Sequence, residues 1–161
     1  MIEGAGYSRD GEDETAQLDR QWNELLQELR LAQTGTQILF AFLLTIAFQP
    51  AFQQADAFTH DVYAATLVGS ALAVGLFLAP VSFHRLVYRR KLRDRMLPIA
   101  ARMAGAGLGL LILATAGGLL LALDVILARA VAIIVVALVV VWFLIFWYAV
   151  PAWVRSHATE E

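Results

Sequence analysis

The 161 residues are 60% hydrophobic and only 16% charged, with a mean hydropathy of +0.66, whereas a soluble domain averages about 45 to 50% apolar and about 25% charged residues. That balance excludes an ordinary water-soluble globule, and the absence of Cys excludes disulfides, thiolate metal sites and thiol catalysis. The formal net charge of -2 conceals a segregation: residues 1–30 carry eight acids and three Arg, and residues 84–102 carry seven positive side chains and one Asp.

Residues 1–14 are acidic and glycine-rich and predict a disordered N-terminus. A secretory leader would open on a basic stretch and a short apolar core, so the first long apolar segment is expected to be retained. Over 15–30 the apolar residues Leu18, Trp22, Leu25, Leu26 and Leu29 fall at i, i+4, i+7, i+8 and i+11, with Arg20, Asn23, Glu24, Gln27 and Glu28 turned away. This spacing predicts an amphipathic helix, with the Thr15 hydroxyl as its N-cap. Helices that lie on membranes are usually rich in Lys and Arg. The acids here favour a protein surface over lipid, either the basic middle segment of the same chain or a partner.

Four blocks without Asp, Glu, Lys or Arg follow, over 31–55, 62–83, 103–123 and 130–154. Each approaches the roughly 20 residues that a helix needs to cross about 30 Å of hydrocarbon. In lipid an unmet backbone N–H or C=O costs several kcal/mol, and the alternation of a barrel strand is absent, so these blocks are read as helices. The expected fold is an all-α membrane protein, a four-transmembrane-helix bundle with spans at 31–52, 62–83, 99–123 and 130–150. The N-terminal amphipathic helix is placed in the cytoplasm, and 155–161 form a short cytoplasmic tail.

In the first span Gln33, Thr36 and Gln37 put polar groups on one face, as an interhelical packing contact or, alternatively, a solute contact. Ala65, Gly69 and Ala73 in the second span recur at four-residue steps. So do Ala101, Gly105 and Gly109, then Ala114 and Gly118, in the third, which gives that span the best claim to the bundle centre. Pro80 is expected to kink the second helix, and Pro98 suits the first turn of the third. Asp124 and Arg129 are placed to pair across a tight hairpin. Trp142, Phe143, Phe146, Trp147, Tyr148 and Trp153 read as an aromatic belt rather than a ligand platform.

Cytoplasmic loops retain Lys and Arg. With four spans, eleven of the twelve positive residues fall on one side and Arg129 alone on the other, so both termini are expected in the cytoplasm. Arg85, Arg89 and Arg90 in the basic 85–95 loop are expected to meet anionic lipid head groups. No Asp, Glu, Lys, Arg or His lies in the middle of a span, as a proton relay would need, and Arg102, one turn inside the third span, can snorkel to the cytoplasmic surface. No phosphate-binding Gly loop, HExxH or Ser, His and acid set occurs. Asp56, His60 and Asp61 are too loosely spaced to argue a metal site. An enzyme, a cofactor and a nucleic-acid partner are therefore not expected.

The stretch Trp22-Asn-Glu-Leu-Leu-Gln-Glu-Leu-Arg30, continuing through Gln33-Thr-Gly-Thr-Gln-Ile-Leu-Phe-Ala-Phe-Leu-Leu-Thr45, and PVSFHRLVYRR from Pro80 to Arg90 resemble a family of small actinobacterial membrane proteins of unknown function. The resemblance runs from about Leu18 into the third span. It implies four spans in a bacterial cytoplasmic membrane and brings no catalytic residues. It draws attention to Trp22, Glu24, Glu28, Arg30, Gln33, Gln37, His84 and Arg85 without giving them roles.

The sequence thus leads to a non-enzymatic interaction or regulatory subunit. Its contact residues would be Trp22, Glu24, Leu26, Glu28, Arg85, Arg89 and Arg90, and its partner a membrane protein, a cytoplasmic protein or a second copy of the chain. The alternative is an oligomeric channel or small-solute transporter that uses Gln33, Thr36 and Gln37.

Overall fold

The computed structural model describes residues 14–87 and 93–157, with side chains over 16–82 and 97–157. The described residues form helices throughout: α1 (Glu14–Ile46), the single turn α2 (Pro50–Gln53), α3 (Ala57–Val87), α4 (Arg93–Ile126), α5 (Arg129–Leu144), a π-helical turn (Ile145–Ala149) and α6 (Val150–His157). Four helical stretches are long and apolar enough to cross a membrane: Ala16–Ile46, Ala57–Ser82, Leu97–Ile126 and Arg129–His157. This is the pattern of a multi-pass membrane protein.

The amphipathic segment and the first span are one continuous rod. No proline interrupts Glu14–Ile46, and the change from polar to apolar sequence at Leu31 leaves the backbone hydrogen bonds intact. The rod is about 50 Å long at 1.5 Å per residue, more than the hydrocarbon requires. It stops because Pro50 holds Gln49 extended, at φ -77° and ψ 131°. Asp56 then caps α3, its Oδ1 accepting from the Thr59 N–H at 3.0 Å and the Thr59 hydroxyl at 2.7 Å.

Contacts set an up-down-up-down register. The Tyr63 hydroxyl of α3 donates to the Leu43 carbonyl of α1 at 2.9 Å, while Leu29 meets Phe77 toward the other end. Thr66 lies on Gly117 and Phe77 on Gly107, which makes α3 and α4 antiparallel. Arg129 against Asp124, and Tyr148 against Gly105, do the same for α4 and α5. The helix α4 packs on α1, α3 and α5, whereas α5 packs mainly on α4. The expected central place of the third span therefore holds, but α5 is a flank rather than a wall of a closed four-helix ring.

One proline position differs from the expectation. The third long helix is already formed at Arg93, so Pro98 lies inside it rather than at its first turn, while Pro80 lies within α3, fully buried. A helix is widened at Pro151. This proline has no N–H to donate, and its ring would crowd the carbonyl four residues back. The helix widens just before it, the Val150 N–H reaching the Ile145 carbonyl five residues earlier. This turn carries Tyr148, whose hydroxyl donates to the Gly105 carbonyl at 3.2 Å.

The small-residue rows are used unevenly. Ala73 and Ala114 are buried, but Ala65 and Ala101 are exposed, and a Cβ at Gly69 or Gly105 would meet nothing within 4 Å. The close approaches fall at Gly107 and Gly117, outside those rows, where Phe77 and Thr66 press on α4. Gly109 faces the Tyr148 hydroxyl and Gly118 faces Leu39, so the glycines of α4 admit three neighbours on three faces.

Candidate functional site

The apolar stripe of 18–29 packs largely on its own chain. Leu29 is 5% exposed, and with Leu25 and Ala32 it joins Ala73 and Phe77 of α3 and Ala104 and Leu108 of α4. Trp22 and Leu26 are half-buried, with the Trp22 indole nitrogen enclosed. The opposite face presents Asn23, Glu24, Gln27 and Glu28, all exposed, with Glu24 Oε1 3.4 Å from Arg20 Nη1 one turn away. Arg89 and Arg90 lie outside the described residues, as do the side chains of Thr15, His84 and Arg85.

The polar intramembrane set divides. Thr36 is fully buried and its hydroxyl donates to the Ala32 carbonyl at 2.7 Å, while Gln33 is half-buried and Gln37 is exposed. The other buried hydroxyls behave as Thr36 does: Thr66 donates to Val62 O at 2.6 Å and Ser70 to Leu67 O at 2.8 Å. Each of these hydroxyls returns to a carbonyl of its own helix, which satisfies it inside the bundle.

At the far end a charged cluster joins three elements. Arg129, at the start of α5, donates to Asp124 of α4 twice, from Nε at 3.0 Å and from Nη2 at 2.8 Å, and from Nη1 to Asp56 Oδ2 at 2.7 Å. Its guanidinium carbon lies 4.4 Å from the centre of the Phe58 ring. The hairpin pair was legible in the sequence. The tie to Asp56, 73 residues away, was not. Next to it His60 Nδ1 lies 3.0 Å from the Asp56 carbonyl, and the Phe52 ring packs on His60 and Tyr63 at centroid distances of 4.8 and 4.6 Å. Among the described residues no three His, Asp or Glu side chains come together as a metal site.

The Arg129 guanidinium, followed by the Thr59 hydroxyl and N–H, holds the Asp56 carboxyl well below the usual carboxylate range. A depressed folded-state value stabilises the fold above the unfolded value of about 4, and that contribution is lost as pH falls toward the folded value. Asp56→Asn should therefore lower the thermal midpoint at neutral pH, with the gap to the native chain closing at acid pH. A gap that stays constant from neutral to strongly acid pH would contradict this account.

No curated protein and no solved structure matches the chain. A family model described as a family of unknown function (DUF6328) matches residues 11–151, which include all of α1 to α5 and the π turn. The continuous rod, the central α4 and the charged tie all lie within that match, and the chain belongs to the DUF6328 family.

Proposed function

We propose that this chain is a non-enzymatic interaction or regulatory subunit of a bacterial cytoplasmic membrane, with both termini in the cytoplasm. The observation that carries the reading is the face of α1 bearing Asn23, Glu24, Gln27 and Glu28. Leu25 and Leu29 anchor it to α3 and α4 along its apolar edge, which leaves a stiff, exposed, acidic surface. Such a surface suits a protein partner presenting Lys or Arg, because opposite charges speed encounter and fix orientation. Glu24 and Glu28 then serve as the contact residues, and Trp22 and Leu26 as its support. Support for the orientation comes from the charge count of the sequence: with four alternating spans, eleven of the twelve positive residues share the side of the termini, and Arg129 alone falls on the other. The basic 85–95 segment is assigned to anionic lipid.

The test is purification of the full chain in mild detergent, reading native mass and co-purifying proteins. A stoichiometric partner lost in Glu24→Lys/Glu28→Lys, with the helical content unchanged, is the expected result. The exposed amide of Gln37, about 13 Å inside the end of α1, favours a second reading as an oligomeric channel. A closed homo-oligomer without other proteins, whose ion or solute flux in proteoliposomes falls in Gln37→Leu, would replace the first reading with the second.

A further inference from the structure

We propose that the open-sided cavity between α1, α2 and α4 holds one acyl chain of a glycerophospholipid from the leaflet opposite the termini. The cavity measures about 290 Å³ and is lined almost wholly by apolar side chains. It exists because small residues stand where larger ones would fill the space. Gly118 and Ala122, one turn apart on α4, form one side, and Ala51 and Ala55 border another.

The surrounding wall is braced against collapse. Phe52 is held between the rings of His60 and Tyr63, and the Tyr63 hydroxyl is fixed on the Leu43 carbonyl. The Gln53 side chain donates to the Ala47 carbonyl at 3.2 Å across the bend that carries α2. Arg129 ties Asp56, at the start of α3, to the end of α4.

Depth and shape choose the occupant. The cavity runs from Gln49, beyond the last turn of α1, down to Gly118, eight residues inside the end of α4. That is a depth of about 12 Å along the helix axes, the direction in which acyl chains lie. Water does not fill an apolar cavity, and its volume equals about ten groups of ~30 Å³ each, the share of one water in the liquid. Hydrocarbon is the solvent at this depth, so a flexible chain can enter from the open side. Gln49 and Thr59 are the polar side chains of the lining; the Thr59 hydroxyl is already bonded to Asp56, and a lipid ester carbonyl can accept from the exposed Gln49 amide. This site is separate from the acidic face of α1 and does not depend on its role.

The experiment uses the full chain in vesicles of phosphatidylglycerol and phosphatidylethanolamine with a trace of phosphatidylcholine carrying a mid-chain diazirine. Light is applied and the labelled peptides are mapped. Labelling within 42–59 and 118–125 should saturate as the probe fraction rises. It should fall about tenfold in Ala122→Phe and in Ala51→Phe, one decade in occupancy. Labelling of Ile134 and Leu138 on the exposed side of α5 should stay as in the native chain, which reports that both variants are folded and embedded. Cavity labelling that grows linearly with probe, matches that of α5 or survives both substitutions would overturn the proposal.

Discussion

Gly117→Ala should destabilise the chain by about 2 kcal/mol and loosen α3 from α4, although alanine is the better helix former. A Cβ at 117 would fall on the Thr66 hydroxyl, and at 3.0 and 3.1 Å from its Cβ and methyl carbon. Thr66 has little freedom to step aside. It is 4% exposed, branched at Cβ, and its hydroxyl is bonded to Val62 O at 2.6 Å. Relief requires the two backbones to separate, and α3 against α4 is the principal helix contact of the protein. Gly75 is the control, since a Cβ there meets nothing within 4 Å and Gly75→Ala should be neutral or slightly stabilising. Unfolding in a mixed-micelle titration, followed by circular dichroism, gives the comparison. If Gly117→Ala proved as stable as Gly75→Ala, the close packing of Thr66 on Gly117 would be wrong.

The same contact shows where reading the sequence reached its limit. Small residues at four-residue spacing mark a face on which a helix can approach, but not which neighbour it meets or whether one is there. The central α4 has three neighbours, so its glycines serve different faces: Gly107 and Gly117 admit α3, Gly109 borders Tyr148, and Gly118 borders Leu39. A row drawn through Ala101, Gly105 and Gly109 follows one of these faces and misses the tightest. Rotation of α1 about its axis was equally hidden. Thr36 and Gln37 are adjacent in sequence, and only packing on α3 and α4 decides that the hydroxyl is buried and the amide exposed.

Features set by local chemistry were legible. Four apolar blocks separated by charges gave the long helices, and the short interval between Asp124 and Arg129 gave their pairing. Polarity at Leu31 suggested a boundary that the backbone does not respect, because no proline stands between Glu14 and Ile46 and the single Gly35 is tolerated within the helix. Pro151 was a helix breaker within an apolar block, and the aromatic reading of that block passed over it. The tie from Arg129 to Asp56 needed the fold, since nothing local brings residues 73 positions apart together.

Phe77→Ala should cost about 3 kcal/mol, and its effect should depend on what stands at 107. The Phe77 side chain is 1% exposed, and it fills the junction of α1, α3 and α4 where Leu29, Leu25 and Ala104 meet. A Cβ at Gly107 would lie 2.6 Å from Cε1 and 2.9 Å from Cδ1 of this ring. Gly107→Ala alone therefore forces the ring off its position and destabilises the junction. With Phe77 already replaced by Ala, the same methyl enters the space the ring has left and gives back dispersion contacts. The double variant should be more stable than the sum of the single losses implies, by about 1 kcal/mol or more. The junction also anchors the acidic face of α1, so in Phe77→Ala amide exchange should rise over 18–32 more than over 36–46, which the far end of the bundle holds through Tyr63. Strict additivity of the two substitutions would show that ring and glycine do not touch. Uniform exchange along α1 would show that its two halves open as one.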